Sequence, residues 1–115
     1  MNNKPFSRSE RVSQQVLKTI NDILTREMDL RKYGFITFSS VKMTADLKHA
    51  NLYYSIINPT KKIETINKEL NQLVPVFRKF LSSSLKLRST PTLKFFYDHS
   101  FEQFEKIDKL IKEID

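Results

Sequence analysis

An apolar stripe at helical spacing is interrupted by a proline, and this interruption constrains the fold more than any other feature of the 115-residue chain. Apolar residues recur every three or four positions from Ile63 to Leu81, which predicts an amphipathic helix. Pro75 stands inside that stripe, where proline removes a helical hydrogen bond and clashes with the preceding turn. We therefore predict two consecutive helical pieces, at about 60–73 and 75–87.

The segments before this helical pair predict one helix and two strands. Ser7 and Glu10 have the spacing of a capping box, and apolar residues then recur at helical spacing, so a helix is expected over about 8–28. Partly alternating β-branched and aromatic residues predict strands at 35–43 and 50–57. Their connection is too long for a two-residue hairpin but short enough to make the strands antiparallel neighbours.

The segments after the helical pair predict one more strand and one more helix. The aromatic-rich segment 92–98 is typical of a strand, and its alternation puts Phe95 and Phe96 on opposite faces. Ser100 then begins a predicted amphipathic helix at 100–115 with an acidic face. The apolar residues of this last helix are Phe101, Phe104, Ile107, Leu110 and Ile114.

Composition excludes several classes of function. The one glycine, Gly34, cannot supply a glycine-rich nucleotide loop, in which backbone must approach phosphate closely. The absence of cysteine excludes disulfides, thiolate metal sites and thiol catalysis, and two histidines do not make a multi-histidine metal site. Isolated acids such as Asp46 and Asp98 do not form the carboxylate cluster of a metal-dependent nuclease. We expect a non-enzymatic protein with no metal.

Hydropathy and charge indicate the cellular location of the protein and the class of its partner. No apolar run approaches the roughly 20 residues of a membrane span, and the first residues lack a signal-peptide core, so we expect a soluble, cytoplasmic protein. The sequence does not fix the oligomeric state, and a monomer is the default expectation. Residues 1–95 contain 17 Lys and Arg against 7 Asp and Glu, a balance of +10, whereas residues 96–115 have a balance of −3. A basic body favours a polyanionic partner such as nucleic acid. The alternative is a soluble basic protein without one.

The predicted α-β-β-α-α-β order is that of a type II KH domain, a small α/β fold that binds RNA. The segment 85–98 resembles ribosome-binding factor A most specifically, and the likeness extends over nearly the whole chain. Further residues that carry it are Arg8, Arg11, Val12, Asp46, Leu47, Ala50, Tyr53 and Ser55. The resemblance implies one KH-like domain over 1–115, with a flexible segment at 1–7, a three-stranded sheet and helices on one face.

The resemblance also implies a function. Proteins of this family bind the small (30S) ribosomal subunit and its ribosomal RNA during late maturation. They support processing of the RNA's 5′ end and growth in the cold, and they use no cofactor. These properties are expectations from the likeness alone.

Two motifs depart from the family pattern. The family tends to have an Ala-x-Gly helix kink where this chain has Leu73, Val74 and Pro75. Proline lacks the N–H and the close backbone approach that glycine permits, so RNA contact must depend on basic side chains instead. The common Asp-Pro-Arg after the first helix is Asp29-Leu30-Arg31 here, which loosens that turn.

Eight basic residues are the candidate RNA contacts, since Lys and Arg neutralise phosphates and the planar guanidinium binds two oxygens at once. They are Arg8, Arg11, Lys18, Lys42, Arg78, Lys79, Lys86 and Arg88. The stripe on the first helix could instead be a solvated face, and Arg88 could pair with Asp98 or a helix end. The sheet aromatics could stack on bases or form the core.

A protein–protein adaptor is the alternative function. It would use the apolar stripe of the predicted helix at 100–115 to fill a groove on a partner. Reversal of charge at Arg78 and Lys79 separates the two hypotheses, because an adaptor of this kind would keep its association.

Overall fold

Residues 7–100 are described by a computed structural model. In chain order the elements are helix α1 (Arg8–Arg26), a 3₁₀ turn (Arg31–Tyr33), strands β1 (Phe35–Met43) and β2 (His49–Ile57), helices α2 (Ile63–Gln72) and α3 (Val74–Ser84), and strand β3 (Thr92–Tyr97). This order confirms the predicted type II KH-like α+β fold. Apart from Ser100, the helix predicted at 100–115 lies outside the described residues, as does the predicted flexible segment before Ser7.

The sheet has the strand order β1-β2-β3, with β1 antiparallel and β3 parallel to β2. The two helices between β2 and β3 make the crossover that a parallel pair requires. A bulge between Phe38 and Ser40 shifts the register of β1 by one residue. The predicted antiparallel pairing of the first two strands is therefore confirmed.

Helix α1 begins and ends close to its predicted bounds. The hydroxyl of Ser7 accepts a hydrogen bond from the Glu10 N–H at 3.2 Å, which satisfies one of the free donors of the first turn. Val16 and Ile20 on its apolar face are fully buried. The helix ends at Arg26 rather than 28.

No helix within residues 7–100 has the length and apolar character of a membrane span.

The predicted break between the helical pieces falls at Leu73. Its N–H still reaches the Leu70 carbonyl at 2.9 Å, and its own carbonyl accepts from Val76 and Phe77 as the new helix begins. Pro75 lies in the first turn of α3, where the N–H that proline lacks has no helical partner to lose. Proline thus acts as a start signal for α3.

The helices all pack on one face of the sheet. Phe38, Tyr54 and Phe95 point from the three strands into this layer, and Phe77 of α3 packs among them. Each of these four rings is at most 2% exposed. The ring centroids of Phe77 and Phe95 are 5.0 Å apart, with the rings near perpendicular. Three of the seven aromatic residues in the strands are therefore core residues, and Tyr97 packs partly buried against them, whereas the other three lie on the opposite face.

Two asparagine side chains form hydrogen bonds with the backbone at the two edge strands of the sheet. The side-chain amide of Asn21 in α1 donates to the Phe38 carbonyl and accepts from the Phe38 N–H, both at 3.0 Å. Asn71 in α2 does the same for Phe95 on β3, at 3.0 and 2.9 Å. Each amide takes the place of a neighbouring strand, so this part of each edge is not free to pair with another chain.

The turn before β1 depends on glycine and on a local ion pair. Gly34 has φ +116°, and a Cβ there would lie 2.7 Å from the Asn58 carbonyl oxygen. Asp29 accepts from Nε and Nη2 of Arg31, both at 2.9 Å, and Leu30 between them is 9% exposed. These bonds hold the pKa of Asp29 at about 2, well below its usual range. The side chain of Leu30 thus packs on the core between the two members of this ion pair.

Candidate nucleic-acid interface

One end of the molecule collects exposed basic side chains from four segments; we call it the basic end. Its members are Arg8, Arg11, Lys42, Lys48, Lys86 and Arg88. Helix α1 runs antiparallel to β1, so Ser9, Glu10, Ser13 and Gln14 of its first turns line the same cleft of about 470 Å³ as Lys42. Arg8 and Arg11 belong to these turns but do not line the cleft. The Lys48 carbonyl accepts from the Thr92 N–H at 2.8 Å, which brings the loop before β3 to this end as well.

The loop between β1 and β2 presents Lys48 from a fixed turn. The Asp46 carboxylate accepts from the Thr44 hydroxyl at 2.6 Å and from the Lys48 N–H at 3.0 Å. These hydrogen bonds, that from Thr44 first, lower the pKa of Asp46. Leu47 adopts the left-handed region at φ 62°, uncommon for a side chain of its size. Asp46 therefore closes this turn.

The side chain of Arg78 is hydrogen-bonded to the loop that precedes β3. Its Nε donates to the Pro91 carbonyl at 2.9 Å and its Nη2 to the Thr90 carbonyl at 3.0 Å. The side chain is half-buried, and these bonds tie the loop containing Lys86 and Arg88 to α3. Arg78 thus helps to hold the basic end in shape, a role that the sequence did not suggest.

The other predicted contacts occupy separate places. Lys79 is exposed beside Arg78 on α3, and Lys18 is exposed two turns along α1 from Arg11. At the helix break, Leu73 and Val74 are partly buried against the core, while Pro75 is exposed. The fold thus gathers Arg8, Arg11, Lys42, Lys86 and Arg88 at one end and leaves Lys18 and Lys79 on the helical surface.

The alternative pairing of Arg88 with Asp98 is not formed. Asp98 accepts instead from the Ser100 N–H at 2.9 Å and from the Ser39 hydroxyl at 3.3 Å. Hydrogen bonds from Ser100, and then from Ser39, lower the pKa of this carboxyl. Within residues 7–100 the ion pairs are Arg31–Asp29 and Lys61–Glu69, neither of which uses a predicted RNA contact.

The face of the sheet away from the helices carries residues that the sequence did not single out as a site. Tyr53 and Phe96 are cross-strand partners whose rings stack with centroids 5.4 Å apart and planes 24° apart. Lys42 Nζ lies 5.8 Å from the Tyr53 ring centroid, and Lys94 Nζ lies 5.2 Å from that of Phe96. The alternation in β3 predicted that Phe96 points away from the core. Its position beside Tyr53 follows from the register of β3 with β2, which the sequence did not predict.

No group of three or more His, Asp or Glu side chains that could hold a metal ion occurs within the described part of the chain. The two acids weighed for catalysis, Asp46 and Asp98, both accept hydrogen bonds in local turns. The described site is therefore a basic surface beside an aromatic sheet face.

Comparison with known sequences identifies the relatives of the chain. The family model described as Ribosome-binding factor A matches residues 8–111. A ribosome-binding factor A of Legionella pneumophila (strain Lens) is 36% identical over 115 residues, covering 99% of this chain and 91% of the relative. That of Geobacter metallireducens is 33% identical over 109 residues, covering 95% and 92%.

Solved structures share the fold. A solution NMR structure of a Thermotoga maritima protein assigned to ribosome binding factor A has a TM-score of 0.66 at 26% identity, covering 83% of this chain and 91% of that one. The crystal structure of ribosome-binding factor A from Thermus thermophilus has a TM-score of 0.65 at 16% identity, covering 77% and 94%. A Thermus thermophilus homology model fitted into a cryo-EM map of a 30S complex has a TM-score of 0.62 at 16% identity, covering 83% and 97%.

Proposed function

Because the chain belongs to the ribosome-binding factor A family, we propose that it is a ribosome assembly factor that binds the small (30S) ribosomal subunit and its ribosomal RNA. It acts during late maturation, supports processing of that RNA and contributes to growth in the cold. It works in the cytoplasm as a monomer, without catalysis or cofactor. The Thermus thermophilus relative fitted into a 30S complex supports the choice of subunit.

The observation that carries this proposal is the basic end. Six exposed Lys and Arg side chains from α1, β1 and two loops lie there. The nearby Asp46 carboxylate is engaged in its own turn, and the exposed Glu10 lines the cleft beside Lys42. Phosphate groups of RNA match such a surface, since each contact releases condensed counterions. The loop that presents Lys86 and Arg88 is tied down by Arg78, which lowers the entropy lost on binding.

The roles of the eight candidate residues follow from their places. Arg8, Arg11, Lys42, Lys86 and Arg88 contact phosphates directly, whereas Lys18 and Lys79 extend the contact along the helical surface. Arg78 supports the loop at the basic end. RNA contact does not pass through a glycine-lined cradle at Leu73–Pro75, because proline offers no N–H there.

Charge reversal at the basic end tests the proposal. In a filter-binding assay with purified 30S subunits, we expect Lys86→Glu with Arg88→Glu to weaken binding at least about tenfold and to reduce its salt dependence. Lys32→Glu with Lys62→Glu is the matched control, since it reverses two exposed charges at the opposite end and should stay within about threefold of wild type. Wild-type binding that is insensitive to salt would contradict the proposal.

The adaptor hypothesis depends on the segment 100–115, which lies almost wholly outside the described residues. The same assay separates it from RNA binding. An adaptor would keep its affinity in the Lys86→Glu with Arg88→Glu variant and lose it when the apolar residues of that segment are replaced.

A further inference from the structure

We propose that the sheet face opposite the helices is a stacking platform for unpaired RNA nucleotides, a second contact surface that adjoins the basic end at Lys42. Its centre is the Tyr53–Phe96 ring pair, flanked by Lys42 and Lys94. The inference rests on the proposed function in one respect, namely that RNA is the partner.

The register defines the platform. Ser40, Tyr53 and Phe96 form one cross-strand row, and two residues further along the strands Lys42, Asn51 and Lys94 form the next. The rows are about 7 Å apart, since a strand rises about 3.3 Å per residue. An aromatic row thus lies directly beside a row of two cations and an amide.

The chemistry of these two rows suits nucleotides. Every base has a π-face that stacks on Tyr or Phe without regard to sequence, and the adjoining backbone phosphate needs a nearby cation. The two ammonium groups lie within 6 Å of the ring centroids, so a phosphate paired with either lysine brings its base to a ring. Asn51 adds donors and acceptors for a base edge.

The charge of this face favours RNA over a protein surface. The strand residues that point outward include no Asp or Glu, and the helices lie on the other face. They are Phe35, Thr37, Ser40, Lys42, His49, Asn51, Tyr53, Ser55, Ile57, Thr92, Lys94 and Phe96. The carboxylate of Asp98, directly after β3, accepts a hydrogen bond from the Ser39 hydroxyl of β1. Lys42 belongs to both surfaces, so one strand of RNA can pass from the basic end onto the rings.

Binding of an unstructured 12-nucleotide RNA, compared with an RNA duplex of the same length, tests the platform. We expect Tyr53→Ala with Phe96→Ala to weaken single-strand binding at least about tenfold and to change duplex binding less than about threefold. Lys42→Gln with Lys94→Gln should make the salt slope shallower by about 1.4, because each lost contact to a single strand removes about 0.7.

Two further variants separate stacking from stability. Tyr53→Phe keeps a stacking ring, so it should bind the RNA normally. It should lose most of the quenching of tyrosine fluorescence that RNA binding causes in wild type, a signal that can be measured because the chain has no tryptophan. Phe35→Ala removes an aromatic ring that is 66% exposed at the far end of the same face and should change affinity less than about twofold. Tyr53→Phe and the lysine variant carry the test if the double alanine variant unfolds.

The outcomes separate this inference from the proposed function. If wild type binds 30S subunits but not the 12-nucleotide RNA, the platform is wrong and the proposed function stands. Equal losses of RNA affinity from Phe35→Ala and from the double alanine variant would show that binding does not depend on the Tyr53–Phe96 pair in particular, which also overturns the platform. Binding to neither RNA nor subunits would contradict both.

Discussion

Phe95 and Phe96 are neighbours in β3, yet they lie on opposite faces of the sheet and have different environments. Phe95 is 1% exposed and packs its ring against Phe38 and Phe77. Phe96 is half-buried, stacks on Tyr53 and lies under Lys94. The inner face thus stabilises the fold, while the outer face places equally large aromatic rings where a ligand can reach them.

The first way to break this comparison is to truncate each ring in turn. We expect Phe95→Ala to lower the free energy of unfolding by about 3–5 kcal/mol, through lost burial and the cavity left behind. Phe96→Ala should cost about 1 kcal/mol, the contribution of one partly exposed aromatic pair. Urea denaturation of both variants checks this, and equal losses would mean that the two faces serve the same purpose.

Gly34 provides a reference for the comparison of the two faces, because it lies in the turn before β1 and belongs to neither aromatic cluster. In Gly34→Ala the new Cβ would press on the Asn58 carbonyl, and φ +116° is strained for any residue with a side chain. We expect a loss of about 2–3 kcal/mol in the free energy of unfolding. Unchanged stability in the same urea experiment would show that the turn can rearrange.

Arg78 and Lys79 provide a smaller contrast of the same kind. Arg78→Gln should lower stability by about 1 kcal/mol, because two carbonyls lose a charged donor. Lys79→Gln should leave stability unchanged within about 0.5 kcal/mol, since its side chain is exposed. Thermal unfolding of the pair measures this, and a larger loss from Lys79→Gln would reverse the roles assigned to the two residues.

The smallest expected effect concerns Asp29. Its pKa in the folded state is lowered to about 2 from an ordinary 3.8, mainly by hydrogen bonds from Arg31. The stability that this carboxylate contributes is therefore present above about pH 4 and lost as the pH falls toward 2. The difference in urea midpoint between wild type and Asp29→Asn should therefore become smaller as the pH is lowered from about 4 to about 2. A constant difference would contradict this assignment.

Much of the fold is predictable because it depends on local sequence. Alternation along 35–43 predicted β1 at both bounds, and Pro75 predicted the break between α2 and α3. Helix α3 ends at Ser84 rather than 87. The hydroxyls of Ser82 and Ser83 donate back to the Lys79 carbonyl, a local alternative to helix continuation.

The site is less predictable because it depends on contacts between distant segments. The stacking of Tyr53 on Phe96 requires the parallel register of β2 and β3, which alternation within one strand does not specify. The engagement of Arg78 with the carbonyls before β3 requires the packing of α3 against that loop. Sequence identified the basic residues, but their grouping at one end follows from topology.

The central claim is that this chain contacts ribosomal RNA of the small subunit through the basic end and the adjoining sheet face. Ultraviolet crosslinking of the full chain to immature 30S particles, with both peptide and RNA positions mapped, tests it most directly. We expect crosslinks from Tyr53 and from the segment 85–91 to ribosomal RNA. Crosslinks confined to ribosomal proteins, or to the opposite end near Lys32 and Lys62, would contradict the claim.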